Sequence, residues 1–220
     1  VLAYCSVENI GIILIGVGVG MMGMAIQLPA LAVIGFLAAL YHTINHAVFK
    51  GLLFMGAGAV VYSAHTRNMN EMGGLARLMP WTGLIFLIGS ISISAIPPLN
   101  GFVSEWFVFQ SFFIASNASL GVLRVFGPLF AMLLGLVGAM VAMCFVKAYG
   151  TTFTGLPRSQ HAKDAREVPG FMLGGMGILA LSAIFLGLGA PWVTPFIGGI
   201  AAGIANVPVG PLANGVEVFP

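Results

Sequence analysis

His42, His46 and Lys50 stand at i, i+4 and i+8 within the apolar run Pro29–Ser63. On one helix this spacing stacks them along a single face, with a rise of about 6 Å per step. Imidazole and amine both take up and release protons, and histidine does so nearest neutrality. At lipid depth these groups are expensive: a central lysine costs roughly 2.5–3.5 kcal/mol on insertion scales. They persist there when paired, wetted or used, so the stripe reads as a proton or ion path. Two unit charges about 12 Å apart, at an effective dielectric near 20, interact by roughly 1.4 kcal/mol, enough for one charge to load or unload the next.

Two carboxylates and one further amine extend the set. Glu105 follows Pro97-Pro98-Leu99-Asn100-Gly101 by one helical turn. Two prolines remove two donors and a glycine loosens the rest, so that stretch breaks a helix. Its flanks stay apolar, and irregular backbone at membrane depth survives only inside protein or beside water, where it marks ion sites in transporters. The other reading of Pro97, Pro98, Asn100 and Gly101 is an interfacial turn, with Glu105 near the headgroups. Glu8, in Ser6-Val7-Glu8-Asn9, either joins the relay or sits in the interface. Lys147 either joins it or snorkels to the membrane surface. A static reading also stands: His42 and His46 hydrogen-bonded across helices, with Lys50 salt-bridged to Glu105 as a lock.

The elements that would position these residues follow from composition. The chain has 220 residues, 59% hydrophobic and 6% charged, with mean hydropathy +1.06. A soluble domain carries about 25% charged residues, so a water-facing globule is excluded. The expected fold is all-α, a polytopic membrane helix bundle of about six transmembrane helices, one of them discontinuous at Pro97–Gly101. The segments are Leu2–Ile26, the stripe-bearing run, Trp81–Ile96, Leu99–Ala115, Phe126–Phe153 and Val168–Ala190. In that order the basic loops 64–80 and 154–167 fall on opposite sides, which leaves the orientation weakly marked. Ser90, Ser92 and Ser94 cannot share one helical face and read as packing or helix–helix hydrogen-bond residues.

Cys5 and Cys144 lie far apart in apolar segments and read as inert thiols. Haem, iron–sulfur and zinc spacings are missing, so no cofactor and no metal are expected in this chain. Near-neutral charge gives no nucleic-acid footprint. The chain opens inside a helix without an initiator Met, so it reads as a fragment of a longer polypeptide.

Four ordered motifs carry a resemblance: Leu2-Ala3-Tyr4-Cys5-Ser6-Val7-Glu8-Asn9-Ile10-Gly11, His46-Ala47-Val48-Phe49-Lys50-Gly51-Leu52-Leu53-Phe54, Met72-Gly73-Gly74-Leu75-Ala76, and Pro97-Pro98-Leu99-Asn100-Gly101-Phe102-Val103-Ser104-Glu105. The chain resembles the antiporter-like membrane subunits of respiratory complex I over residues 1–190. The first motif and Lys147–Ser159 resemble most the branch of the hydrogenase-4 B component and formate hydrogenlyase subunit 3.

The resemblance implies two inverted five-helix repeats per full subunit, each with a broken helix. Residues 1–153 look like the second repeat, a half-channel. A hydrophilic loop with an additional helix follows at 154–190, and 191–220 is a Pro/Gly-rich segment, interfacial or the start of a further span. Lys50 becomes the central channel lysine, His42 and His46 its neighbours, and Glu105 the terminal acid.

The implied function is proton translocation in a membrane-bound hydrogenase or formate hydrogenlyase complex. The implied partners are other membrane subunits, soluble hydrogenase or redox subunits, and the lipid of a bacterial or archaeal cell membrane. Redox chemistry would reside in those partners. The competing readings are a complex I (NADH-quinone oxidoreductase) membrane subunit, a structural anchor with a relic channel, and an Mrp-type Na⁺/H⁺ antiporter subunit. For the last, Glu105 with Asn100 is the candidate sodium cage.

Overall fold

Nothing interrupts the helix that begins at Pro29, and the rest of the chain is arranged around it. The computed structural model describes residues 2–118 and 121–207, and every regular element among them is helical. They are α1 (Leu2–Ala25), α2 (Pro29–Ala64), a 3₁₀ turn (Met69–Glu71), α3 (Leu75–Leu78), α4 (Pro80–Ile93), α5 (Asn100–Ser116), α6 (Gly121–Phe153), α7 (Gln160–Asp164), α8 (Gly170–Leu188) and α9 (Ala190–Ile204). Helices α1, α2, α6 and α8 are each long and apolar enough to cross a membrane.

Helix α2 starts on a proline, whose missing N–H costs nothing in the first turn. It ends where His65 turns left-handed at φ 51° and donates its N–H to the Val61 carbonyl at 3.0 Å. Its 36 residues reach about 54 Å, well beyond a hydrocarbon core of about 30 Å.

The neighbouring helix α1 lies antiparallel to it along a seam of small residues. An added Cβ at Gly16, Gly23 or Gly35 would strike the backbone of the facing helix. Without a hydrophobic drive between helices in lipid, such close backbone approach supplies the packing energy.

Helices α4 and α5 follow α2 end to end in the opposite direction. Phe86 packs on Gly56 and Gly89 on Leu53. Past the break, Asn100 bonds Asn45, Ser104 bonds His42, and the ring of Phe107 meets Tyr41 at 5.7 Å. The third and fourth apolar segments are therefore two halves of one crossing. Helix α6 runs back along both: Phe153 lies 5.3 Å from Phe86 between ring centroids, and Gly127 packs on Phe112.

This arrangement corrects the sidedness of the loops. The two basic loops lie at the same end of the bundle and are docked together, because the broken helix counts once. Gly74 N donates to Thr154 O at 2.9 Å, Arg158 Nη1 to Met69 O at 3.4 Å, and Arg166 N to Ser63 Oγ at 2.8 Å. Glu167 caps α4: it accepts from Trp81 N at 2.9 Å and from Thr82 Oγ1 at 2.6 Å, a carboxylate at a helix N-terminus. In the 3₁₀ turn, hydrogen bonds from Asn68 and Thr66 hold the Glu71 carboxyl below the usual carboxylate range.

The Pro/Gly-rich tail also holds a helix. Helix α9 has 15 residues, about 22 Å, too short to span alone. Pro191 falls in its first turn, where the missing N–H costs no hydrogen bond, whereas Pro195 lies inside the helix and removes one. Ile197, Ala201 and Ala202 bury themselves in the core around the N-terminal half of α2. Residues 208–220 of that tail lie outside the described residues.

Candidate functional site

The middle of α2 faces α1 on one side and the α4–α5 break on another, which is where its ionisable residues go. His42 is 0% exposed and Lys50 5%, so both are inside protein rather than in lipid. The ring of His42 is held at both nitrogens: Nδ1 lies 2.9 Å from Ser104 Oγ and Nε2 3.2 Å from Asn9 Oδ1. Asn9 in turn donates to the Cys5 carbonyl at 2.7 Å. His46, one turn on, is half-buried, and among the described residues its Nε2 is shielded without a hydrogen-bond partner. Phe49 stands edge-on to both imidazoles, at 6.3 Å from His42 and 5.7 Å from His46.

Lys50 points its amine at α1 and donates to the Leu2 carbonyl at 2.6 Å. Glu105 is 9% exposed and turns the other way, towards α6, with Oε2 beside Gly138. Its carboxyl borders a groove of about 340 Å³ walled by Ser94, Phe102, Trp106 and Leu134. The static lock therefore lacks its geometry, since Lys50 and Glu105 address different helices. Glu8 is partly exposed and precedes the buried Asn9 on α1. Lys147 is exposed on α6, near the end that carries the basic loops. The structure thus gathers His42, His46 and Lys50 along α2 and leaves Lys147 apart, in the position of a snorkelling residue.

The break itself spans Ser94–Leu99 and contains the cis Pro97-Pro98 bond. Asn100 and Gly101 form the first turn of α5. An added Cβ at Gly101 would run into the Ser92 carbonyl at the end of α4, so the two half-helices meet at glycine contact. The Asn100 side-chain oxygen accepts from Ser92 Oγ, and its Nδ2 donates to Asn45 Oδ1 at 3.2 Å. That oxygen is engaged inside the break, while the Glu105 carboxyl faces α6 beside Gly138. Among the described residues no group of three His, Cys, Asp or Glu gathers that could hold a metal ion.

Asn45 and Ser104 do not stand out in the sequence, yet they join the stripe to the break. Asn45 Nδ2 donates to Asn100 O at 2.6 Å and to Ser104 Oγ at 3.0 Å. The one signal that points to them is an amide in the apolar run, one turn from His42 and 0% exposed in the structure. A buried amide needs partners, so it points to another polar element.

A central helix with buried proton-active side chains, packed against a discontinuous helix, defines an antiporter-like membrane bundle. The chain belongs to the family described as NADH:quinone oxidoreductase/Mrp antiporter, TM, whose model matches residues 1–134. It is 48% identical to hydrogenase-4 component B of Escherichia coli over 100% of its own length and 33% of that protein. It is 43% identical to formate hydrogenlyase subunit 3 of the same organism, over 89% of this chain and 32% of that one. The fold matches a chain of respiratory complex I from Thermus thermophilus with TM-score 0.71 and 22% identity, over 93% of this chain and 38% of that chain. The chain spans about a third of the length of the curated relatives it matches.

Proposed function

We propose that this chain forms one proton half-channel of a proton-translocating subunit in a membrane-bound hydrogenase or formate hydrogenlyase complex. Other membrane subunits would surround it, soluble redox subunits would supply the driving reaction, and the setting would be a bacterial or archaeal cell membrane. The observation that carries the reading is the row of buried His42, half-buried His46 and buried Lys50 beside a broken helix that bears Glu105. Each group offers a proton site, and the groove beside Glu105 has room for water. The test is proton translocation by the full-length subunit within its complex, in sealed vesicles, with Glu105→Ala. Translocation is expected to fall by at least about tenfold, the scale of losing one positioned acid or base. A native rate would remove Glu105 from the path and defeat the reading.

The docked loops support an orientation. Arg67, Arg77, Arg158, Lys163 and Arg166 all lie at one end of the bundle, whereas Arg124 stands near the other. Cytoplasmic loops carry the excess of Lys and Arg, so we assign that end to the cytoplasm. A cysteine placed at Ser159 should react with an impermeant maleimide in inside-out vesicles and stay unlabelled in intact cells. Labelling in intact cells would reverse the assignment.

A further inference from the structure

We propose that Ser104 is a positioning residue for His42: its hydroxyl turns between the His42 ring and the Gly101 carbonyl as His42 loses and gains a proton. The state of the stripe is thereby passed to the first turn of α5, beside the break. The inference rests on the proton-carrying reading above and names the hydroxyl through which that site would work.

Donor directions in this cluster are fixed by backbone carbonyls, which can only accept. The Cys5 carbonyl takes a proton from Asn9 Nδ2, so Asn9 Oδ1 faces His42 and must accept from Nε2–H. The Asn100 carbonyl takes one from Asn45 Nδ2, whose second proton goes to Ser104 Oγ. Asn45 Oδ1 is occupied by Asn100 Nδ2, and Asn100 Oδ1 by Ser92 Oγ. Every member has its direction except Ser104. Its oxygen accepts from Asn45, and its one proton has three acceptors in reach, His42 Nδ1 at 2.9 Å, Gly101 O at 3.1 Å and Asn100 O at 3.4 Å.

With His42 neutral, Nε2 carries the ring proton and Nδ1 needs a donor, which the Ser104 hydroxyl supplies. When a proton arrives at Nδ1, that nitrogen becomes a donor and points its N–H at Ser104 Oγ. The hydroxyl then has to turn, and of the two backbone carbonyls in reach Gly101 O at 3.1 Å is the nearer, since Asn100 O lies at 3.4 Å and already accepts from Asn45 Nδ2. In an α-helix that carbonyl also receives the N–H of Glu105, so the turn loads the backbone of the residue that carries the acid. Loss of the proton from Nδ1 reverses both movements, and no other atom changes bonding.

Among the described residues the titratable groups around His42 are few. They are Cys5 and Glu8 from α1, Tyr41, His46 and Lys50 on α2 itself, and Glu105 on α5. Helices α4, α8 and α9 carry none. Helix α7, with His161, Lys163 and Asp164, meets α2 at its far end, where Ala162 joins the core around Ala59 and Val60.

The test uses the full-length subunit in its membrane complex. Ring ¹⁵N spectra of His42 in the native protein are expected to show the neutral form with its proton on Nε2. A neutral ring protonated on Nδ1 would overturn the proposal, whatever the behaviour of any variant. Ser104→Ala is expected to slow proton translocation roughly tenfold and to remove the part of the pH profile that His42→Gln also removes. Ser104→Thr, which keeps the hydroxyl, is expected to restore both. Native rate and native pH profile in Ser104→Ala would end the proposal while leaving the relay reading intact, provided Glu105→Ala is inactive. An active Glu105→Ala would bring down the relay reading itself.

Discussion

Gly101→Ala is expected to cost the fold about 3 kcal/mol or more, although it adds a single methyl group. The new Cβ would occupy the space of the Ser92 carbonyl, and that atom belongs to backbone at the end of α4. A side chain could rotate away, but here one half-helix has to move off the other. Separation also loosens Ser92 from Asn100, and Asn100 from Asn45, so a fully buried polar set loses partners together. Elsewhere the same substitution gains roughly 1 kcal/mol of helix propensity. Gly18→Ala, where an added Cβ meets nothing within 4 Å, is the matched control. Thermal unfolding in detergent compares them: Gly101→Ala should melt well below the native protein and Gly18→Ala close to it. Equal melting temperatures would mean that the half-helices are not held at this contact.

That contact illustrates what the sequence makes legible. A proline pair in an apolar stretch announces a break because proline lacks a donor, and charge in an apolar run announces a site because lipid penalises it. His42, His46, Lys50 and Glu105 are conspicuous for that reason. The break's geometry is not legible: a turn between two antiparallel spans and a joint between two collinear halves need the same prolines. Only the partners of each half distinguish them, Gly56 and Leu53 for α4, Asn45 and His42 for α5. One miscounted crossing is enough to put loop 154–167 on the wrong side.

Asn9, Asn45 and Ser104 are inconspicuous for a different reason. An amide or hydroxyl in a membrane helix is inexpensive once partnered, so its presence alone does not mark a site. Their role emerges from directions of donation that require coordinates. Helix α9 is obscured by Pro191, which is tolerated at a helix start, and by Pro195, which here stands inside the helix although proline usually breaks a helix interior.

Lys50 can be tested in a way that separates carrying a proton from holding a charge. Lys50→Ala removes both, and coupled proton translocation is expected to fall on the order of a hundredfold. Lys50→Arg keeps the positive charge and can still donate to a carbonyl such as that of Leu2, which now receives the Lys50 amine at 2.6 Å. A guanidinium does not release its proton within proteins, so as a relay member it should fail nearly as badly as alanine. As a static anchor it should succeed. The pair therefore decides between the two readings of the stripe, with proton uptake in sealed vesicles as the measurement and the driving redox reaction assayed alongside. Full translocation in Lys50→Arg would make Lys50 a fixed charge and route protons through the histidines alone. Full translocation in Lys50→Ala would leave the row of His42, His46 and Lys50 without a transport role. Loss in both, with the redox reaction intact, requires a group at this position that binds and releases a proton. Lysine suits that role, because burial shifts its proton affinity readily, whereas arginine keeps its proton in almost any surroundings.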